Sequence, residues 1–176
     1  RAPSGENLQP WRFIVIQNQE LRKKIGDLTV EAAVARFKPM QAELEQRFAE
    51  IPAEKRGEVI RGMTTGARFK FAGEAPVLIA VGADTSKAED YQLDVAAAIE
   101  NMLLAAHGLG LGACWIGLPF TTPEFTGRMA ELLKLPRHVK PTAIISVGYP
   151  SRVPKPRPRL DMSEIAFYEQ YGSRSR

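Results

Sequence analysis

The stretch Asp90-Tyr91-Gln92-Leu93-Asp94-Val95-Ala96-Ala97-Ala98-Ile99-Glu100-Asn101-Met102-Leu103-Leu104-Ala105-Ala106-His107-Gly108 decides the architecture. Val95, Ile99, Met102, Ala106 and Leu109 recur at spacings of four, three, four and three, which is one continuous helical face. The other faces hold mostly Ala and Leu, with Asp94, Glu100 and Asn101 as exceptions. A helix apolar nearly all round must be buried nearly all round. In a chain of 176 residues that predicts a central helix, or one shared with a second subunit.

Downstream, Gly108-Leu109-Gly110-Leu111-Gly112-Ala113-Cys114-Trp115-Ile116-Gly117 leaves the helix and enters a strand. It contains Gly108-x-Gly110-x-x-Ala113, a loose version of the dinucleotide fingerprint. That fingerprint needs a strand before its glycines and a helix after them, so that a pyrophosphate meets a helix N-terminus. The order here is reversed, and the glycines read as helix termination and tight passage. Gly117, just past the strand, would let a flat ligand approach the backbone.

Working outward, Arg12–Ile16, Val77–Gly82, Ala113–Ile116 and Thr142–Val147 are short runs rich in Ile or Val, bounded by Gly or Pro, and read as strands. Helical stretches lie between them: Glu20–Gly26, then Val30–Glu50 broken at Pro39, then Ala53–Phe71. Another starts near Thr121–Glu124, at capping-box spacing with Pro123 early, and a last one runs from Ser163 to about Tyr171. Without repeats or linkers, residues 1–176 form one domain of α+β or α/β class.

Composition narrows the partners. Apolar residues make up 44% and charged residues 25%, as in ordinary globular proteins. The apolar runs fall short of the roughly 20 residues a membrane helix needs. No charged-then-apolar leader opens the sequence, and the lone Cys114 suits a reducing compartment, so a cytoplasmic location is expected. The net charge of +4 is concentrated in residues 151–176, where six basic side chains face three acidic ones. Such a cluster suits one phosphate ligand better than a nucleic-acid duplex.

Two segments look able to bind. Ala2-Pro3-Ser4-Gly5-Glu6-Asn7-Leu8-Gln9-Pro10-Trp11 is dense in turn residues and can present hydroxyl, amide and backbone groups. Gly148-Tyr149-Pro150 leads into Pro154-Lys155-Pro156-Arg157-Pro158-Arg159, a proline-stiffened basic arm. There Arg157 and Arg159 are placed to fork onto phosphate oxygens. His107, His138 and Cys114 are too far apart in sequence to read as a metal set. Neither a G-x-S-x-G elbow nor a glycine–lysine phosphate loop occurs. Cys114, inside an apolar strand, reads as a packed thiol rather than a reactive one.

Three blocks then resemble the nitroreductase family. Ala2 to Trp11 is similar to its A-P-S-x-x-N-x-Q-P-W signature. Glu100-Asn101-Met102-Leu103-Leu104-Ala105-Ala106, with the Gly-Leu-Gly-Ala-Cys-Trp-Ile-Gly that follows, is similar to its second hallmark, and Gly148-Tyr149-Pro150 with the basic arm resembles its ending. The blocks come in the family's order.

The resemblance implies a three-layer α+β sandwich, a mainly antiparallel sheet with helices on both faces. It also implies an obligate homodimer with two FMN sites at its interface. Pro3, Ser4 and Asn7 would reach the flavin from one subunit. Trp115, Ile116, Gly117 and Leu118 would line the ring, with a backbone amide near its hydride-accepting nitrogen. Arg157 and Arg159 would hold the phosphate, and Arg68 or Lys70 the pyrimidine edge.

NADH or NADPH would reduce the flavin and a nitroaromatic or quinone would reoxidise it in ping-pong fashion, with no side chain as essential acid or base. One departure is the family's opening R-R-S-x-R segment, which also grips the phosphate; either it lies upstream of Arg1 or phosphate binding falls to Arg157 and Arg159 alone. Iodotyrosine deiodinases share the start and ending but close a Tyr-bearing lid, and residues 17–75 contain no Tyr. That alternative ranks lower, as do a flavin-destroying dimethylbenzimidazole synthase and a non-catalytic flavin-binding protein.

Overall fold

The computed structural model describes residues 1–152 and 156–174. The four apolar runs form β1 (Trp11–Ile16), β2 (Val77–Asp84), β3 (Gly112–Ile116) and β4 (Val139–Gly148). Each extends the run read from sequence by one to three residues at an end. They make one sheet in the order β1-β2-β4-β3, antiparallel at every junction.

The central pair carries the register. Val77 stands opposite Val147 and Val81 opposite Ala143, but Gly82 stands opposite Pro141, so Thr142 is an extra residue in β4. Its hydroxyl donates to the Val81 carbonyl at 2.9 Å. Glycine is required at the bulge, because a Cβ on Gly82 would sit 2.9 Å from Val139 Cγ1.

Alternation along the strands feeds two cores. Leu78, Ala80, Ile116 and Ile144 point to one face with Ile16, where α1 (Gln19–Phe37) and α6 (Pro123–Leu132) supply Ile25, Leu28, Phe125 and Met129. Val81, Ala83, Ala143 and Ile145 point to the other, onto Tyr91, Val95 and Ile99 of α5 (Tyr91–Gly108). The result is the expected α+β sandwich of three layers, with α3 (Ala53–Thr64) and α4 (Phe71–Glu74) against α1 and α2 (Gln41–Arg47) against α3. No helix among the described residues is long and apolar enough to cross a membrane.

Several sequence expectations need correction. The first helix does not stop at Gly26 but runs unbroken to Phe37. Gly26 is there because α4 crosses it: a Cβ would lie 2.7 Å from Gly73 Cα. The break at Pro39 stands, with α2 beginning at Gln41. The helix from Ala53 ends at Thr64 rather than Phe71, since Gly66 turns left-handed at φ 71. Thr122, not Thr121, caps α6, accepting from the Phe125 amide. The last helix, α7, is only Met162–Ile165, closed by an Asp161/Glu164 capping box.

The expectation that α5 is buried all round fails within one chain. Its sheet-facing stripe is covered, but Leu93 is 77% and Leu104 61% exposed.

Two helix ends share one geometry. After α5, Gly110 takes φ +73 while its amide donates to the His107 carbonyl and that of Leu111 to Ala106. After α6, Lys134 takes φ 53 with its amide donating to Glu131 and that of Leu135 to Ala130. These are left-handed C-caps, in which a non-glycine residue costs about 1–2 kcal/mol. Lys134→Gly is therefore expected to stabilise the fold by about 0.5–1 kcal/mol and Gly110→Ala to destabilise it by about 1 kcal/mol. Midpoints of urea unfolding should move in opposite directions.

Candidate functional site

The Ala2–Trp11 loop is folded by its own polar side chains. A 3-10 turn at Gly5–Asn7 is followed by Gln9, whose backbone N–H donates to Ser4 Oγ at 3.1 Å. The Gln9 side-chain amide donates to Asn7 Oδ1 at 2.9 Å and to the Asn7 carbonyl at 3.3 Å. With those acceptors engaged, Ser4 and Asn7 have donors left to offer: a hydroxyl proton and a side-chain NH2. Glu6, Asn7 and Gln9 all adopt left-handed backbone, at φ 50, 58 and 48. Pro3 and Asn7 are exposed and Ser4 half-buried.

Two carboxylates tie this loop to the fold, and sequence reading found neither role. The Gly5 amide donates to Asp94 Oδ1 in the first turn of α5 at 3.0 Å. At the other end, Arg12 donates to the Trp11 carbonyl at 2.9 Å and to Asp84 Oδ2 at 2.6 Å. Pairs across 72 and 89 residues leave no local signal; only the polar residues Asp84, at the end of an apolar run, and Asp94, on an apolar helix, hinted at them.

Asp84 is only 5% exposed. Its carboxyl is held below the ordinary range first by the Ser86 hydroxyl, then by the Ser86 amide, Arg12 and His138, against a desolvation that pushes upward. A depressed folded-state pKa contributes stability that is present above the usual carboxylate range and is lost as pH falls through the lowered value. Acid unfolding is therefore expected to soften in Asp84→Asn: wild type should lose more stability than the variant between pH 5 and the acid limit, measured by thermal melts.

The second expected group leaves the far edge of the sheet. Trp115 is 44% exposed on the α5 face, and Ile116 is buried on the opposite face, so a ligand beside β3 would meet its backbone. Gly117 is exposed, and a Cβ there would meet nothing within 4 Å. Leu118 is half-buried and opens a 3-10 turn to Phe120, whose amide donates to the Gly117 carbonyl at 3.0 Å. Among the described residues strand β3 pairs with β4 alone, so its outer edge offers free backbone groups.

Cys114 is exposed at this edge, which corrects the expectation of a packed thiol. Desolvation nevertheless pushes its pKa up, which lowers its thiolate fraction at neutral pH. Iodoacetamide should alkylate it more slowly at pH 7.5 than a free cysteine.

Arg157 and Arg159 are exposed. Among the described residues Arg159 reaches the arm's own carbonyls, of Arg157 at 3.4 Å and Pro158 at 3.3 Å, and neither arginine pairs with a carboxylate. Lys155 lies outside the described residues. Arg68 and Lys70 are exposed on the connection from α3 to α4, beside α1.

Within one chain these groups do not converge. The donor loop is attached to edge strand β1 and the Trp115–Leu118 lip to edge strand β3, with β2 and β4 between them. At about 4.8 Å per strand the two edges are roughly 14 Å apart. A cavity of about 390 Å³ beside the loop is lined by Arg1, Ala2, Trp11, Phe13 and the Ala98–Ala105 side of α5, and by none of the expected ligand residues.

This layered fold, with a polar loop on α5 and an open lip after β3, matches known proteins along its length. A sequence model of the nitroreductase family matches residues 1–149. An iodotyrosine deiodinase of Thermotoga neapolitana is 29% identical over 164 residues, 93% of this chain and 77% of that protein. An NADH dehydrogenase of Thermus thermophilus is 28% identical over 175 residues, 96% of this chain and 80% of that protein. The structure of an FMN-dependent nitroreductase from Clostridium difficile aligns with a TM-score of 0.68 at 23% identity, covering 97% of this chain and 81% of that one.

The family match and the relatives support an NAD(P)H-dependent flavin oxidoreductase. The chain belongs to the nitroreductase family.

Proposed function

We propose that two copies of this chain bind FMN between them and pass hydride from NADH or NADPH to an organic acceptor such as a nitroaromatic or quinone. The observation that carries this reading is the separation of the two ligand-facing groups onto opposite edge strands. A two-fold partner can bring the donor loop of one copy to the β3 lip of the other. The outer stripe of α5, with Leu93 and Leu104 in water beside Glu100 and Asn101, is surface that such a partner would cover.

The residues fit the cofactor. Gly117 leaves room for a flat ring against the backbone, and half-exposed Trp115 offers apolar surface beside it. Pro3 would pack on the ring from the other copy, and Ser4 and Asn7 have donors to spare for its carbonyl-rich edge. Arg157 and Arg159, without carboxylate partners among described residues, are free to take the phosphate, with Arg68 or Lys70 available to the pyrimidine. FMN itself supplies the hydride chemistry, so the chain's task is to bind, orient and polarise. Exposed backbone amides at Gly117 and along the β3 edge would stabilise negative charge developing at the ring.

A deiodinase-type acceptor is the second reading, favoured by the Thermotoga relative. It needs an aromatic lid, and residues 17–75 supply Phe but no Tyr.

Purified protein should show oxidised-flavin absorbance that is released on denaturation, and should oxidise NADH or NADPH in the presence of menadione or a nitrobenzoate. A colourless dimer that stays apo in excess FMN would refute the assignment, and turnover of 3-iodotyrosine with neither of the other acceptors would select the second reading. Replacing both Arg157 and Arg159 by Ala should weaken FMN binding by about two to four orders of magnitude, since each charge-assisted contact is worth about 1.5–3 kcal/mol. Fluorescence quenching on titration measures it.

A further inference from the structure

We infer that Asp94 is a positioning residue for the cofactor: its carboxylate holds the Ser4–Asn7 turn in the shape that presents Ser4 and Asn7 to the flavin. The inference rests on the FMN reading above and adds a residue that touches the ligand only through the loop.

Three observations lead to it. Between Ser4 and Asn7, the Gly5–Asp94 hydrogen bond at 3.0 Å is the one long-range hydrogen bond among the described residues. The other bonds of this turn, Gln9 to Ser4 and to Asn7, are local and move with it. The next anchors come at Pro10, whose carbonyl accepts from the Asp84 amide at 2.8 Å, and at Arg12.

Backbone strain makes that tether matter. Glu6, Asn7 and Gln9 are non-glycine residues in left-handed conformation, which a free chain rarely adopts. Such a conformation persists only where its surroundings over-determine it, and here one hydrogen bond to α5 supplies the external restraint. Without it, the turn can relax about Gln9 and Pro10, and Ser4 and Asn7 lose their shared orientation. Ordering them again on binding would be charged against cofactor affinity.

Asp94 is itself well placed to be rigid. It lies in the first turn of α5, where a carboxylate complements the helix dipole. Asp90, at the N-cap, makes no side-chain capping bond. Loss of Asp94 could therefore weaken the helix as well as the loop, and the test must separate the two. Asp94→Asn removes the charge but keeps a side-chain oxygen that can accept from Gly5, whereas Asp94→Ala removes both.

The experiment uses the full-length chain and two readouts. Amide hydrogen exchange of the apo protein should show Gly5 and its neighbours exchanging about tenfold faster in Asp94→Ala, with protection of α5 residues 98–106 unchanged. Asp94→Asn should restore most of the protection. FMN titration followed by visible circular dichroism should give a dissociation constant about tenfold higher for Asp94→Ala and near wild type for Asp94→Asn. Unchanged Gly5 exchange in Asp94→Ala overturns the inference. So does a loosened loop with unaltered FMN affinity, or an Asp94→Asn as impaired as Asp94→Ala. If wild-type protein takes up no FMN, the cofactor reading falls and the positioning role falls with it, while the exchange data still decide whether Asp94 restrains the loop.

Discussion

The ladder between β2 and β4 is the constraint from which the other features follow. Both strands are buried on both faces, so their side chains must serve two cores at once, and a one-residue slip would exchange the cores. The register is pinned where Thr142 bulges and Gly82 admits Val139. Beyond the bulge, β2 ends on Asp84, which meets Arg12 from β1 and so fixes where the N-terminal loop leaves the sheet. Placement of the loop is thus a consequence of central-strand register as much as of its own sequence.

Helix α5 carries that order to the other half of the site. Its first turn holds Gly5 through Asp94, and its last turn, closed by Gly110, delivers the chain into β3 and the Trp115–Leu118 lip. A single rigid element therefore sets both groups, even though they face opposite edges of the sheet. Its outer stripe has the opposite property, leaving leucines in water. Covering a Leu side chain gains about 1.5–3 kcal/mol, so a partner helix on this stripe would be strongly favoured. On that reading association and cofactor binding are one problem, because the surface that docks the partner also fixes the two loops.

Much of this was legible in the sequence, for identifiable reasons. All four strands were found because β-branched runs bounded by Gly or Pro report burial directly. The ends of α5 were found because its period is regular and its terminator is a glycine. Gly26 misled because its reason lies in Gly73, 47 residues away. Tyr168 to Tyr171 read as the end of the last helix, yet that helix stops at Ile165 and these residues form turns closed by hydrogen bonds of Tyr168 and Gln170 with Ser173. The candidate site divides similarly. The turn-rich loop holding Ser4 and Asn7, Gly117 after an apolar strand and the proline-spaced arginines are visible as patterns, but their individual roles rest on the family resemblance. Arg12 and Asp94 did not, since a structural clamp is defined by its distant partner.

The chemistry of the lining follows from how the loop satisfies itself. Gln9 occupies acceptors on Ser4 and Asn7, leaving hydroxyl and amide protons to face outward. The β3 edge and Gly117 add backbone N–H groups, and the basic arm adds guanidinium groups that can only donate. The β3 edge presents carbonyls beside its amides, so the surplus of donors comes from the loop and the arm. Such a surface would bind a ring bearing carbonyls and a phosphate, and it would hold that ring more tightly as negative charge accumulates on it. Tighter binding of the electron-rich state is equivalent to a greater affinity for electrons. The donor bias set by a few loop hydrogen bonds would therefore tune the cofactor's reactivity without any residue exchanging a proton with the substrate.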